Sequence, residues 1–223
     1  MRPTGLPGTN AARHGSDGRL IAMNAAHAAF RRDLKRMAAA ATPANLRDPI
    51  RYESIMNGWV LFKDQLRIHH NAEDHLIWPR LRQRLAMSES ALSTLAAMDA
   101  EHALIDPLLG AVDDAFGRPD AGDVSAVTDE LITKLSYHLS HEERDAMPMI
   151  GEALSDREWR AVVAGIHASV KSLRTSSVAE FVPWLTDGVP GRQAKAIGTI
   201  LPPPVRLIYR WVWKPRYDRV SHW

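Results

Sequence analysis

Residues 69–79 read HHNAEDHLIWP and residues 138–148 read HLSHEERDAMP. The two stretches share one grammar: a histidine, a glutamate four places on, an acidic residue directly after it, and a proline ten places after the histidine. On a helix, residues four apart leave the same face one turn apart, so His69 with Glu73 and His138 with Glu142 each point in one direction. The alignment selects His69 with Glu73 over His70 with Asp74. Pro79 and Pro148 lack a backbone donor and are expected to kink or end their helices beyond these pairs.

Outward from this repeat, four segments carry apolar positions in steps of three and four. They run Leu20, Met23, His27, Phe30, Leu34, Met37; then Ile55, Trp59, Phe62, Leu66, His69, Glu73, Leu76; then Leu95, Met98, His102, Ile105, Leu109, Val112; and lastly Val127, Leu131, Leu135, His138, Glu142, with Met149 beyond. Such stripes are the seams of a helical bundle, here interrupted by histidine or glutamate where leucine would normally sit. Loop-like connections at 42–50, 87–90 and 117–123 are short enough to make successive helices antiparallel neighbours. The expected fold is all-α: an up-down-up-down antiparallel four-helix bundle over residues 18–154, with a flexible segment at 1–17 and a C-terminal helical extension at 155–223. Counted from the helix ends, the four seam histidines fall within roughly 7 Å of one level, at ~1.5 Å per residue.

A lone histidine on an apolar face is usually satisfied by neighbours. Two seam carboxylates at one level are different, because each loses its hydration at a cost of several kcal/mol and the two repel. No Lys or Arg occupies these seams, so a bound cation is the simplest compensation. The chain has no cysteine, which excludes disulfides, iron–sulfur clusters and thiolate sites. Imidazole plus carboxylate suits iron or manganese, with zinc also possible. Four histidines and two glutamates exceed the needs of one octahedral ion with an open position. They fit two ions bridged by the carboxylates, with water or oxide completing the set. Neither the Glu-x-x-His of ferritin-like di-iron proteins nor the His-Glu-x-x-His of zinc proteases occurs.

His27 on the first helix, His69 and Glu73 on the second, Glu101–His102 on the third, and His138, Glu142 and Glu143 on the fourth resemble the hemerythrin-like, HHE cation-binding family. The resemblance covers roughly residues 18–154. It implies two iron ions, ferrous or ferric and joined by an oxo or hydroxo bridge. His27, His69, His102 and His138 would be terminal ligands, and Glu73 and Glu142 bridging ones. The implied small ligand is dioxygen, peroxide or nitric oxide. Oxygen carriers of this family have two histidines four apart on the third helix, whereas here Asp106 follows His102 at that spacing and Met98 precedes it. His70 is the expected substitute ligand. Glu101 and Glu143 are expected to accept hydrogen bonds from ligand imidazoles, and His75, His141 and His167 are read as non-ligands. A di-iron oxidase or peroxidase acting on a small substrate, or an iron- or oxygen-responsive sensor, are the alternative functions.

The 223 residues allow one domain plus an appendage. No signal-like apolar core or membrane-length apolar run occurs, so a soluble, cytoplasmic protein without a transmembrane segment is expected. The net charge is +2, but Val189–Trp223 alone carries seven Lys/Arg and one acidic residue, leaving 1–188 at −4. The bulk of the chain gives no sign of nucleic-acid binding. Ser155 and Glu158 form a capping box opening a helix with Trp159, Val162, Val163, Ile166, Val170 and Leu173 on one face. The tail VRLIYRWVWKPRYDRVSHW interleaves aromatics with cations. It is expected to be a strap whose aromatics dock on the bundle, an anionic membrane surface or single-stranded nucleic acid being the other partners its composition suits.

Overall fold

The computed structural model describes residues 10–118, 123–172, 178–199 and 201–223, and all regular structure among them is helical, with no strand. The first helix, α1 (Asn10–Ala40), reaches into the segment expected to be flexible, of which residues 1–9 lie outside the described part. The stretch read as a loop at 42–50 contains a helix, α2 (Pro43–Arg47). Its cause is two cap-and-proline signals in tandem. Thr42 Oγ1 accepts the Asn45 amide at 3.2 Å ahead of α2, and Asp48 accepts the Ile50 and Arg51 amides at 3.0 and 2.9 Å ahead of α3 (Pro49–Ala72). A proline at the first helical position has no amide to leave unsatisfied. Ser88 caps α5 (Glu89–Gly117), and Asp123 caps α6 (Val124–His141).

Neither Pro79 nor Pro148 ends its helix. The backbone widens by one residue into π-helical turns at Glu73–Ile77 and Glu142–Ala146, then continues as α4 (Trp78–Arg84) and α7 (Met147–Ala153). The Trp78 amide donates to the Glu73 carbonyl and the Met147 amide to that of Glu142, five residues back in each case. A proline ring collides with the carbonyl four residues before it, and an extra residue in the preceding turn relieves that collision. Pro107 lies inside α5 with no such turn, so proline alone does not produce it. Both turns begin at the two seam glutamates.

The buried apolar side chains form two clusters. One joins Met37 of α1 to Ile55 and Trp59 of α3, Val112 and Phe116 of α5, and Val124 of α6. The other joins Met23 to Ile77, Trp78 and Leu81, then Leu95 and Met98, then Met147, Ile150 and Leu154. Along every one of the four rods, the seam histidines and glutamates fall between members of the two clusters. The core is therefore two dry halves separated by a polar layer.

The capping box forms as expected: the Ser155 amide donates to Glu158 Oε2 at 2.8 Å, and the Glu158 amide donates to Ser155 Oγ at 3.3 Å. It starts α8 (Asp156–Ser172), which lays Val162, with Trp159 and Ile166 partly covered, on the Ile77–Trp78 half-core. Leu173 and the Val170 side chain lie outside the described residues. Beyond come α9 (Val178–Thr186), α10 (Gly191–Gly198), α11 (Pro203–Ile208), a third π-helical turn (Tyr209–Trp213) and α12 (Lys214–Tyr217). This part is fastened by Trp184, which is fully buried 5.0 Å from the Phe30 ring with its indole N–H donating to Asp33 at 2.7 Å. Arg32 donates to the carbonyls of Trp184 and Asp187, and Arg36 pairs with the Asp187 carboxylate. At the far end, the Trp223 amide donates to the Ser54 carbonyl at 2.9 Å. The Trp223 ring lies on Gly58, where a Cβ would stand 2.5 Å from ring carbons.

Tyr217 is buried and Trp223 half-buried, as a strap requires, but Trp211 is 69% exposed. The strap reading fails at that residue. Trp184→Ala should remove about 3–5 kcal/mol, as emptying a fully packed aromatic site does. A lower melting temperature with faster proteolytic cleavage after residue 178 is the expected outcome of thermal melts and limited digestion.

Candidate metal centre

All seven residues singled out for metal binding meet in the polar layer. His27, Glu73, His138 and Glu142 are completely buried, His70 and His102 nearly so, and the His69 side chain is 11% exposed. They form two groups whose donor atoms lie within 4.8 Å of one another: His70, His102 and His138 in one, His27, His69, Glu73 and Glu142 in the other. His27 Nε2 is 3.1 Å from His69 Nε2, and His102 Nε2 is 3.2 Å from His138 Nε2. The common level expected of the four seam histidines is thus realised.

Three of the imidazoles are held from outside by carboxylates. His27 Nδ1 donates to Glu143 Oε1 at 2.9 Å, His102 Nδ1 to Asp74 Oδ1 at 2.8 Å, and His138 Nδ1 to Glu101 Oε2 at 2.9 Å. Each bond places a proton on Nδ1 and aims Nε2 inward, the arrangement that orients imidazole for a cation. Glu143 is itself gripped by Arg31 at 2.5 and 3.0 Å, and Glu101 also accepts from His141 at 2.6 Å. Glu101 and Glu143 therefore do what the sequence suggested, and His141 belongs to this outer layer. His75 and His167 are exposed and outside both groups.

Asp74 and Arg31 went unassigned in the sequence. The signal for Asp74 was present, since it occupies the same place in its repeat as Glu143 does in the other. Asp106 stands 3.6 Å from His70 Nδ1, with its side chain 65% exposed.

The glutamates carry the decisive electrostatics. Glu73 Oε1 lies 3.1 Å from His69 Nε2 while its Oε2 lies 3.5 Å from His102 Nε2, so one carboxylate faces both groups. Glu142 Oε2 is 3.1 Å from His27 Nε2 and 3.8 Å from His138 Nε2. These are charge contacts off the hydrogen-bonding axis. Among the described residues, the buried side-chain polar atoms lacking a hydrogen bond are both oxygens of Glu73 and of Glu142, both nitrogens of His70, and the Trp78 indole nitrogen. Burial and the neighbouring Glu142 push Glu73 well above the usual carboxylate range. Burial acts on Glu142 in the same direction, but His27, His69 and His138 outweigh it and hold that carboxyl very low. His27 loses stability as a cation through burial, yet Glu142 and Glu143 raise it to about 9. Burial lowers His70 to about 4. His27, at about 9, carries an extra proton at neutral pH, and burial beside Glu142 disfavours the charge on Glu73. A cation among these residues would satisfy the orphaned glutamate oxygens and one nitrogen of His70, and displace the extra proton of His27, so the residues present fit a metal.

Residues 20–150 match the Hemerythrin HHE cation binding domain. The chain belongs to this family. No curated protein and no solved structure matches it. The HHE domain is a cation-binding one, and its His/Glu groups are the place in this chain suited to a metal ion.

Two outcomes follow from the orphaned atoms and the displaced proton. Chelator-treated protein should melt lower than metal-loaded protein, because binding energy is available only to the folded state; equal melting temperatures at neutral pH would contradict this. Metal loading near pH 7 should also release protons, since His27 at about 9 holds one there that a cation at its Nε2 would displace. Affinity should therefore fall as pH falls. Calorimetric titration in two buffers of different ionisation enthalpy measures the release directly.

Proposed function

We propose that the chain is a non-haem di-iron protein that binds dioxygen or a related small oxidant, such as peroxide or nitric oxide, in the core of an up-down-up-down antiparallel bundle spanning residues 18–154. The two half-cores support the topology: the middle of α1, at Met23, shares a cluster with α4, the start of α5 and α7, and its end with the start of α3, the end of α5 and the start of α6. The single observation that carries the two-metal reading is Glu73, whose oxygens face different donor groups. His70, His102 and His138 would hold one ion and His27 and His69 the other, with Glu73 and Glu142 reaching between them. Bound iron supplies electron transfer to a small oxidant. The chain supplies the rest. Glu143, Asp74 and Glu101 hold the imidazoles at a fixed tautomer and angle, while the two apolar half-cores keep water out.

A second reading, an oxidase or peroxidase, rests on Asp106. Oxygen carriers of this family have two histidines four apart on the third helix, where His102 has Asp106 after it and Met98 before it, and the 65% exposure of Asp106 puts a polar, solvent-facing group beside His70. A site with one fewer nitrogen donor is more open to a substrate and less suited to reversible release.

Elemental analysis of protein expressed with ample iron should find close to two iron ions per chain. Glu73→Ala or Glu142→Ala should cost at least one of them, whereas His75→Ala should leave both. Absence of a transition metal would sink the proposal. Stopped-flow mixing of the ferrous protein with oxygenated buffer separates the two readings. The expected result is conversion to the ferric state that argon does not reverse, with hydrogen peroxide consumption that depends on His69 and His138. Full reversal by argon would instead make the protein a carrier.

A further inference from the structure

The last helical stretch has two unlike faces. Its π-helical turn is wider than an α-turn and brings residues four apart nearly into line. Tyr209, Trp213 and Tyr217 make the inner row: the Tyr209 hydroxyl bonds to Thr186 Oγ1 at 2.8 Å, and Tyr217 is buried with its hydroxyl 3.5 Å from Asp187. Leu207 with Trp211, and Ile208 with Val212, make the outer rows. These four are 62%, 69%, 45% and 55% exposed. Arg206, Arg210 and Lys214 run alongside at the same spacing, Arg216 adds to them within α12, and Arg219 continues the positive charge past the helix end. Asp218 is the one acidic residue of 203–223, and it is paired with Lys214. The apolar surface continues across Val212 to a groove of about 520 Å³ against α3, whose rim carries half-exposed Val60 and Val220. Asp64 and Glu180 also line that groove, on the side of the body of the protein.

We propose that this face docks on an anionic lipid bilayer. Three aliphatic side chains and one indole, flanked by four arginines and a lysine, match the hydrocarbon boundary and the negative headgroups at once. Arginine and tryptophan are long enough to bridge the two zones. A nucleic acid strand needs stacking platforms, and here Tyr217 is buried and Tyr209 and Trp213 are partly covered in the inner row. A second copy of the chain in a two-fold contact would set the same five cations against each other. The helix is far too short to span a bilayer, so the contact is peripheral and weakens with salt.

Flotation of the full-length protein with vesicles tests this. Phosphatidylcholine vesicles containing phosphatidylglycerol should carry the protein at low salt, with at least about tenfold weaker binding to phosphatidylcholine alone. Leu207→Glu with Trp211→Glu should abolish flotation, and Arg210→Glu with Arg219→Glu should weaken it by about tenfold or more. Both double variants should keep the parent's circular dichroism and metal content, since the altered side chains lie on the surface. Three results would overturn the proposal. One is no flotation, or equal flotation on neutral and anionic vesicles. Another is an apolar-face variant that still binds anionic vesicles and single-stranded oligonucleotide as the parent does, which would make the face a polyanion site. The third is a parent that sediments as a dimer and becomes a monomer in the apolar-face variant, with no vesicle binding in either.

Discussion

Two carboxylates facing one another inside a dry core is the constraint on which the rest of the structure depends. Glu73 and Glu142 have no accessible surface and no aligned hydrogen bond, and an uncompensated pair of that kind is too costly to keep. Everything around them is arranged for compensation by positive charge. Five imidazoles converge on the layer, and among the described residues no lysine or arginine enters it. Arg31, close by, is spent on Glu143 behind His27. Carboxylates placed one layer further out hold the Nδ1 side of three of these imidazoles and turn Nε2 inward. Those outer carboxylates are partly solvated, whereas the inner ones have no water to spread their charge.

Much of this was legible in the sequence because burial and helical period agree there. Every apolar position assigned to the α5 seam, from Leu95 to Val112, is buried. Ile55, Trp59, Phe62 and Leu66 follow the same rule ahead of the site. Past the site the rule breaks. Leu76 and Met149 were placed on the seams, whereas Ile77, Trp78, Ala146, Met147 and Ile150 are the buried residues. The π-helical turns insert one residue into the period, and nothing in an α-helical count anticipates the slip. The seven donor residues were readable because they lie before or within the slip, in a repeat that fixes its own register. The role of Asp74 is not legible in its own helix, because the histidine it holds, His102, lies on another.

The extension reads less well from sequence because its contacts are long-range and particular. Trp184 is held by Asp33 and Phe30, some 150 positions earlier, and Trp223 by the absence of a side chain at Gly58. Phe30 also lies 5.3 Å from the ring of His69. The extension thereby packs on a residue that touches the polar layer, and its seating and the orientation of His69 share a neighbour.

The π-helical turns also change what a short deletion would mean. One residue in an α-helix is about 100° of rotation. In most connections between helices, losing a residue only shortens a loop. Within Glu73–Ile77 or Glu142–Ala146 the same loss would restore an unbroken α-helical ladder, a local gain in backbone regularity. It would also turn the remainder of the rod, carrying Trp78 and Leu81 or Met147 and Ile150 away from the lower half-core. The site-bearing half of each rod and the half beyond it are keyed to each other by a single surplus residue, so regularising the helix would misalign the protein.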